Sequence, residues 1–332
     1  MTGIHRPAAA GQLAARAVIT LALGKPYYTG LAINLARSFL QWNDESGIEF
    51  HLVTDHPELV PTDLADVHVR VARPGEFGQG FSTKLHLDRI APGRQTLFID
   101  ADCLVVGPLA PVFERFAGRP LAVPGDFVTE GEFSCDVAQV SRTLGIPGMV
   151  RFVGGIYYLE PGPDSTAVFD YARALEPRYD ELGLVRLRGL PNEEPLLSLA
   201  MARHGLGPVQ EDGTIKADAL CYPSAIDVDV FRGFARLRND PADPNRFRPW
   251  ETREARPVIV HFNCSFAERD PYLREAERLR RVRGGGWPVA AATAYAWLAA
   301  RPRVVRGKLK DHLRPLYRRL FGTRPIAASP RM

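Results

Sequence analysis

Apolar runs of strand length alternate with segments of helical periodicity through the first third of the chain. Residues 18–23 (VITLAL) form a continuous, partly β-branched run that ends at Gly24, a pattern typical of a central strand in a parallel sheet. Leu31, Leu35 and Phe39 then recur at four-residue spacing and predict a helix. The same reasoning predicts a short helix at residues 84–90 and further strands at residues 49–54, 67–71 and 96–99.

This alternation of strands and helices predicts a doubly wound α/β sheet. In such sheets, ligands bind outside the carboxyl ends of the strands. Gly24, Asp55 and Asp100 directly follow predicted strands and should therefore lie at that edge. Leu23, the last residue of the first strand, joins them as a candidate binding residue.

The second half of the chain has a less regular pattern. Residues 152–159 (FVGGIYYL) predict a strand interrupted by two glycines, and residues 258–262 (VIVHF) predict a late buried strand. Residues 192–204 predict a helix with acidic residues at its start. Residues 232–257 are dense in Pro, Arg and Asn and predict a surface excursion.

Composition places the chain among ordinary soluble proteins. Of its 332 residues, 45% are hydrophobic and 24% charged, which is enough apolar material for a large core. We expect a loose leader at residues 1–15, a catalytic domain at residues 16–283 and a basic tail at residues 284–332. The four cysteines form no CxxC pair, so neither a zinc knuckle nor a redox motif is readable, and their small number fits a reduced compartment.

The net charge is unevenly distributed along the chain. Residues 301–332 carry ten Lys or Arg and one acid, whereas the rest of the chain carries 32 basic and 37 acidic residues. Leucines at 309, 313, 316 and 320 follow Val305 at helical spacing, and Pro315 predicts two short helices rather than one. A basic amphipathic segment of this kind predicts peripheral attachment to an anionic membrane surface, with the alternative that it packs back on the domain.

The short apolar run near the start of the chain and the charge distribution also predict where the protein is located and whether it binds nucleic acid. The apolar run at residues 17–23 is too short to span a bilayer, so we expect a cytoplasmic protein, peripheral at the inner face of the cell membrane. The acidic body would repel phosphate and no recognition fold is readable, so no nucleic-acid partner is expected.

The decisive motif lies in residues 96–109 (TLFIDADCLVVGPL). An apolar strand runs directly into Asp100-Ala101-Asp102. Two carboxylates one residue apart, at the exposed end of a buried strand, supply the oxygen ligands that a hard divalent cation prefers. Such a cation would bridge a pyrophosphate and neutralise charge as a nucleotide leaves. The alternative is a pair of loop aspartates that cap the next helix.

A histidine completes this candidate metal site. His261 ends the apolar strand at residues 258–262, and its neutral nitrogen would join the two aspartates in a set that suits Mn²⁺ or a similar ion such as Mg²⁺. The alternative is a hydrogen-bonded histidine in the core. Both the aspartates and the histidine stand at strand ends, which favours the metal site.

Residues 81–113 resemble the core of the retaining GT-A glycosyltransferases related to glycogenin and to bacterial lipopolysaccharide galactosyl- and glucosyltransferases, which belong to glycosyltransferase family 8. The resemblance spans roughly residues 17–280. It implies a Rossmann-like GT-A fold, a mixed and mostly parallel sheet flanked by helices. It also implies transfer of a sugar from a nucleotide-sugar donor, UDP-linked in this family, to a glycan or lipid-linked acceptor in polysaccharide biosynthesis.

The resemblance assigns roles residue by residue. Asp100, Asp102 and His261 would bind Mn²⁺, and Lys84 would lie near the donor, with a helix-surface lysine as the alternative. Gly154 and Gly155 would let the backbone approach the donor sugar, with a strand bulge as the alternative. The remaining positions are a nucleobase-stacking pair that could equally pack in the core (Tyr27 and Tyr28) and the counterpart of the family's Asp-Gln-Asp segment (Asn192, Glu193 and Glu194).

Two departures from the family pattern affect these assignments. The family's metal-binding histidine is often followed by a Gly and a Lys-Pro-Trp motif that touches the diphosphate, whereas this chain has Arg269 as a cationic substitute. Glu193 stands where the family has Gln. Glu193 and Glu194 either face the anomeric carbon or favour the helix N-terminus through its dipole.

Other functional classes share parts of this pattern. A sugar nucleotidylyltransferase also uses metal-binding aspartates but needs a glycine-rich basic loop after the first strand, where this chain has Gly-Lys-Pro-Tyr-Tyr. A dinucleotide-dependent dehydrogenase needs GxGxxG between strand and helix, and Gly75, Gly78 and Gly80 stand in the wrong context. A non-catalytic, membrane-associated glycan-binding protein remains the non-enzymatic alternative.

Overall fold

The computed structural model describes residues 13–73, 75–78, 80–243 and 252–322, the side chains at positions 303, 304, 308 and 311 excepted. Its strands are, in chain order, β1 (Ala14–Ala22), β2 (Ile48–Thr54), β3 (His68–Val71), β4 (Gly93–Ile99), β5 (Cys103–Val105), β6 (Leu121–Ala122), β7 (Pro124–Val128), β8 (Met149–Arg151), β9 (Ile156–Leu159), β10 (Val209–Gln210), β11 (Lys216–Asp218), β12 (Ala225–Asp229), β13 (Phe234–Arg238), β14 (Glu254–Ala255) and β15 (Ile259–His261).

The helices lie between and after these strands. They are α1 (Pro26–Asn43), α2 (Leu87–Ile90), α3 (Ala110–Phe116), α4 (Val137–Leu144), α5 (Pro163–Leu175), α6 (Glu193–Arg203), α7 (Tyr272–Arg283) and α8 (Val289–Phe321). Pro26 begins α1 at the position where a missing backbone N–H costs no hydrogen bond.

A six-stranded sheet in the order β3-β2-β1-β4-β9-β6 forms the centre of the molecule. The pairs β3–β2, β2–β1 and β1–β4 are parallel, whereas β4–β9 and β9–β6 are antiparallel. The predicted α/β class with a mixed, mostly parallel sheet flanked by helices is therefore confirmed. The parallel half is the part that sequence periodicity predicted, and it brings the ends of β1, β2 and β4 to one edge.

Successive residues of the central strands enter two different cores. Leu97 and Ile99 of β4 belong to the core that α1 covers, whereas Phe98 between them belongs to the core that α5 and α6 cover. β9 repeats this alternation through Tyr157 and Tyr158. Burial on both faces explains why the central strands read as continuous apolar runs instead of alternating ones.

A smaller sheet in the order β11-β15-β5 lies beside the central one. β15 occupies its middle, parallel to β11 and antiparallel to β5. The registers pair His261 with Asp218 on one side and with Cys103 on the other. This small sheet therefore brings together segments that are distant in the sequence.

Several predicted boundaries differ from the structure. β1 begins at Ala14, earlier than the predicted residue 18, and residues 1–12 of the predicted leader lie outside the described residues. The predicted strand at residues 152–159 is wrong in its first half, because the glycines precede β9 and Gly155 has φ +132°. Residues 84–86 of the predicted helix at residues 84–90 belong to a 3₁₀ segment at Gly80–His86, and residues 87–90 are α-helical, as α2.

The predicted surface excursion at residues 232–257 is wrong for its described part. β13 pairs with β12 and β14, and its Leu237 is fully buried. β13 alternates buried and more exposed residues over only five positions. The arginines among its more exposed residues give the segment the composition of a surface loop. Residues 244–251 of the same segment lie outside the described residues.

The prediction of two short C-terminal helices is also wrong, because α8 is one helix with Pro302 and Pro315 inside it. A proline in a helix removes one hydrogen bond and causes a kink, and it need not end the helix. Ala292, Ala296 and Ala300 are buried at four-residue spacing where α8 packs on α7. In the described part of the chain, no helix combines the length and apolar character needed to cross a bilayer.

Candidate active site

The two aspartates and the histidine meet where the central sheet adjoins the small one. Asp100 follows β4, and its backbone N–H donates to Gly155 O at 2.8 Å. The N–H of Cys103 donates to Asp100 O at 3.0 Å, which makes a tight turn around Ala101 and sends the chain into β5. The N–H of Phe262 donates to Asp102 O at 2.9 Å and fixes the end of β15 against this turn.

The donor atoms of these side chains converge. His261 Nε2 lies 3.1 Å from Asp102 Oδ1 and 3.8 Å from Asp100 Oδ2. Octahedral ligands about 2.1 Å from an ion lie roughly 3 Å from one another. Two carboxylates and one imidazole form a ligand set that suits a divalent cation such as Mn²⁺ or Mg²⁺. Asp102 and His261 already lie at this spacing, whereas Asp100 lies farther from His261 and pairs with Lys84.

Asp218 and Lys216 support His261, and the sequence analysis missed both. Asp218 Oδ1 lies 2.5 Å from His261 Nδ1, and Lys216 Nζ donates to Asp218 Oδ2 at 2.5 Å and to Val153 O at 3.2 Å. A carboxylate on Nδ1 leaves Nε2 to face the aspartates, which is how metal-binding histidines are usually held. The signal in the sequence was Lys-Ala-Asp, whose two charged residues share one face of a strand.

The neighbouring carboxylates determine the protonation of His261. Burial lowers the pKa of His261, but Asp102 and Asp218 outweigh it and raise the pKa to about 10. Burial likewise acts to raise the pKa of Asp218, and Lys216 with His261 brings it below its ordinary value. The ion-free site therefore holds a proton on His261 between carboxylates, and a divalent cation would take the place of that positive charge.

Cys103 also lies close to Asp102 and His261. Its side chain is fully buried, and burial raises the pKa of the thiol well above its ordinary value, with Asp102 and Asp100 raising it further. A thiol ligates metal as the thiolate. In the ion-free site Cys103 therefore packs as a small apolar side chain beside Asp102 and His261.

We expect Asp218→Asn to weaken Mn²⁺ binding by roughly 10–100-fold, because it removes the carboxylate that orients His261 and makes it basic. Isothermal titration calorimetry on the full chain measures this change. The matched control is Asp212→Asn, a partly exposed acid bound to Arg115 on a neighbouring loop, which should leave Mn²⁺ affinity unchanged. Equal affinity in Asp218→Asn and wild type would contradict the positioning role.

Lys84 bridges two carboxylates at this edge. Its Nζ lies 2.8 Å from Asp100 Oδ2 and 2.9 Å from Glu193 Oε1. Burial lowers the pKa of Lys84, but these two carboxylates outweigh it and raise the pKa above its ordinary value. The predicted helix-surface alternative for Lys84 is therefore wrong, since the charged lysine is nearly buried against Asp100.

Glu193 is almost completely buried beside Lys84. Its Oε1 also accepts from Tyr157 OH at 3.0 Å, and its Oε2 has no hydrogen-bond partner among the described residues. Burial raises the pKa of Glu193, and Lys84 opposes that rise. The helix α6 thus places one acid inward at its first residue.

The two glycines predicted to approach the donor sugar are packed tightly. A Cβ on Gly154 would lie 2.8 Å from Glu194 Oε1, and one on Gly155 would lie 2.6 Å from His261 Nδ1. Gly155 also has φ +132°, which strains any other residue. Only glycines let the chain pass between β9, α6 and the histidine.

Asn192 and Glu194 occupy the N-terminus of α6. Asn192 is the N-cap, and its Oδ1 accepts from Glu194 N at 3.5 Å. Glu194 Oε1 accepts from Gly154 N at 2.5 Å. Asn192 thus stabilises the helix end, and Glu194 holds the glycine segment beside the candidate metal site.

The first strand and its loop form another part of the same edge. Gly24 N donates to Asp55 Oδ2 at 2.9 Å, which ties the ends of β1 and β2 together. Leu23 is half-buried beside the core of α5 and α6. Tyr27 and Tyr28 meet edge to face, with ring centroids 5.7 Å apart, and pack against the core under α1.

Arg269, the predicted substitute for the family's Lys-Pro-Trp motif, lies just beyond β15. Arg269 follows a 3₁₀ turn at Phe266–Glu268, and its guanidinium lies 5.6 Å from the centroid of the Phe266 ring. This places it on the chain segment that leaves His261. Its predicted contact with a diphosphate stays a prediction.

Comparison with solved structures identifies the architecture. The galactosyltransferase LgtC, solved in complex with donor and acceptor sugar analogues, superposes with a TM-score of 0.52 at 14% identity, covering 81% of this chain and 95% of that one. The chain has the GT-A glycosyltransferase fold. The predicted GT-A architecture, made from the resemblance, is thus confirmed at the level of the fold.

Two other structures with the GT-A fold are less similar. Mouse xyloside xylosyltransferase 1 gives a TM-score of 0.43 at 13% identity, covering 76% of this chain and 98% of that one. The bifunctional glycosyltransferase WbbM gives 0.46 at 13% identity, and the match covers 77% of this chain and 46% of WbbM. The sequence matches no protein-family model and no curated protein.

Proposed function

We propose that this protein is a metal-dependent glycosyltransferase that moves a sugar from a nucleotide-diphosphate donor, a UDP-sugar, to a glycan or lipid-linked acceptor. The observation that carries the proposal is the convergence of Asp100, Asp102 and His261 at the carboxyl edge of a GT-A sheet. Binding at this edge is the rule for open α/β sheets.

In this proposal the site's own residues bind and orient the donor. Asp100, Asp102 and His261 hold Mn²⁺ or Mg²⁺, which supplies Lewis-acid stabilisation of the departing nucleotide diphosphate. Lys84 adds positive charge next to Asp100. Gly154 and Gly155 would lie beside the sugar, on the backbone segment that passes between Glu194 and His261. The Gly24–Asp55 contact with Tyr27 and Tyr28 forms the nucleotide end.

The proposed activity is tested with a panel of nucleotide-sugars. We expect one donor to raise the melting temperature only when Mn²⁺ is present, since a ligand of the native state stabilises it. The same donor should be slowly hydrolysed by wild type and not by Asp102→Asn. Turnover of a nucleoside triphosphate with a sugar phosphate would instead indicate a nucleotidylyltransferase, and stabilisation without any turnover would indicate a glycan-binding protein.

We expect transfer with retention of the anomeric configuration. An inverting enzyme needs a carboxylate free to take the proton of the acceptor hydroxyl. Glu193 is bound by Lys84 and Tyr157, and Glu194 is bound by the backbone of Gly154. Proton NMR of the freshly formed product measures the anomeric coupling, and an inverted linkage would contradict this assignment.

The C-terminal helix is the proposed membrane contact. Beyond Ala300, α8 exposes Val305, Leu309, Leu313, Leu316 and Leu320 at helical spacing, each at least 46% exposed. Basic residues lie along the same segment of α8. An exposed apolar stripe with a basic face fits the headgroup layer of an anionic bilayer.

We expect the full chain to co-sediment with vesicles that contain anionic lipid, and a truncation after Ala300 to remain in solution. Each basic residue near such a surface contributes about 1 kcal/mol, so the full tail binds reversibly and weakens with salt. Ending the chain after Ala300 keeps the buried alanines of α8 against α7. Equal sedimentation of both proteins, or binding that does not depend on the anionic lipid content of the vesicles, would contradict the proposal.

A further inference from the structure

A second cluster of potential metal ligands lies on the outer part of the central sheet, away from the candidate active site. Glu49 and His51 project from one face of β2, two residues apart, and His68 is the register partner of His51 on β3. β3 is the edge strand of the sheet. His51 precedes Asp55 by four residues, so the cluster lies about 13 Å back along the strand from the carboxyl edge.

The ligand atoms of this cluster converge on one point. Glu49 Oε2 lies 2.9 Å from His51 Nε2 and 3.5 Å from His68 Nε2. Tetrahedral ligands at zinc distances of about 2.0–2.1 Å lie roughly 3.3 Å from one another. The two carboxylate–imidazole separations bracket that value, and all three ligand atoms lie within 4.8 Å of one another, so an ion fits between them once the side chains adjust.

The surroundings permit entry and fix the ligands. The two imidazole side chains are 11% and 18% exposed, whereas Glu49 is 44% exposed and opens the cluster to solvent. The rings of His51 and His68 stack, with centroids 4.6 Å apart and planes 14° apart. Two neighbouring strands hold both rings near Glu49, and one ring must rotate about its side-chain bonds before both Nε2 atoms face the same ion.

The geometry points to a binding site for Zn²⁺, or a similar borderline divalent cation, formed by Glu49, His51 and His68. Two imidazoles and one carboxylate form a ligand set that suits zinc and leaves a fourth position for water. The ion would join the edge strand β3 to β2 across their register. This site is independent of the proposed glycosyl transfer, whose ligands are at the other end of the strands.

One feature of the cluster limits its affinity. The buried Nδ1 of His68 has no hydrogen-bond partner among the described residues. Metal-binding histidines usually donate this second N–H to an acceptor, and losing such a contact weakens binding roughly 10–100-fold. We therefore expect binding in the micromolar range, weaker than at structural zinc sites with complete hydrogen bonding.

Zinc titration of the full chain tests this site, in a background where the candidate active site is disabled by Asp100→Ala and Asp102→Ala. Calorimetry should show one Zn²⁺ per chain in this background and none when His51→Gln and His68→Gln are added. The matched control is His204→Gln, an exposed histidine at the end of α6, which should leave the zinc stoichiometry unchanged. Zinc binding that persists without His51 and His68 overturns the proposal.

Cobalt provides a measurement that does not depend on the folding of the histidine variants. Co²⁺ added to the Asp100→Ala, Asp102→Ala protein should give visible absorption bands of a four- or five-coordinate site with nitrogen ligands. Glu49→Gln should weaken Co²⁺ binding by at least the roughly 10–100-fold that a lost supporting contact costs. Absence of these bands at millimolar Co²⁺ also overturns the proposal. Because activity is not measured, failure here leaves the proposed glycosyl transfer unaffected.

Discussion

Mn²⁺-dependent turnover of the nucleotide-sugar should fall by roughly 1,000-fold or more when Asp100 or Asp102 is replaced by alanine, since the lost metal contact is worth several kcal/mol in the transition state. Both carboxylates lie at the surface end of a strand, about one-fifth exposed, so their loss leaves the cores intact. Turnover at saturating Mn²⁺ and the melting temperature are the two measurements. We expect the first to collapse and the second to change little.

The matched control for this experiment is Asp66→Ala, an exposed acid on the loop before β3. It should retain wild-type turnover, which separates loss of a ligand from loss of charge. His261→Ala should raise the Mn²⁺ concentration needed and lower the rate. If His261→Ala only lowers the melting temperature, the histidine belongs to the core and the metal site is wrong.

The largest expected loss of stability follows Lys84→Met. Removing one partner of a buried ion pair costs about 3–5 kcal/mol, because the other charge stays buried without compensation. Here that charge is Glu193, whose side chain is 1% exposed. Glu193→Gln in the same chain should restore much of the lost free energy of unfolding, and Glu193→Gln alone is the control. Urea unfolding of the four proteins measures the coupling between the two residues.

The destabilisation by Lys84→Met should also depend on pH. Burial already raises the pKa of Glu193, and loss of Lys84 removes what opposes that rise. A carboxyl with a raised pKa in the folded state contributes stability that is present below its unfolded pKa, about 4.3, and is lost as pH rises through the folded value. Because the pKa of Glu193 is raised in wild type too, both proteins lose this stability together just above the unfolded pKa, and the deficit should grow as pH rises past the folded pKa of wild-type Glu193. A deficit that is constant with pH would show that Glu193 is not the residue responsible.

The parallel half of the fold was readable from the sequence because burial on both faces leaves an unbroken apolar run. Residues 18–23 and 96–99 show such runs, and both are strands. The small sheet was harder to predict. β11 and β5 have three residues each, too few for periodicity to distinguish a strand from a turn. The prediction that Pro315 ends a helix failed for a related reason. The local sequence shows where a helical hydrogen bond is lost, but it does not show whether the neighbouring turns keep the helix continuous.

The residues of the candidate site were likewise only partly predictable from the sequence. Asp100 and Asp102 stood out because two acids one residue apart interrupt the apolar pattern of the strand before them. Asp218 and Lys216 gave a weaker signal, because two opposite charges two residues apart are equally typical of a solvated strand face, although both side chains are nearly buried. Glu193 was predicted by family resemblance, and its contact with Lys84 joins two segments whose proximity no local pattern encodes.

The order of strands in the small sheet bears on how the protein matures. β15 is the middle strand, yet it is made last, so β5 and β11 have no common partner until the chain is synthesised past His261. Contacts between such distant segments form slowly, because a long loop must be closed first. A nascent chain, or one truncated before β15, would therefore have Asp100 and Asp102 at the candidate site but not His261. Under the proposed function, Mn²⁺ binding should thus appear only once β15 has joined the small sheet.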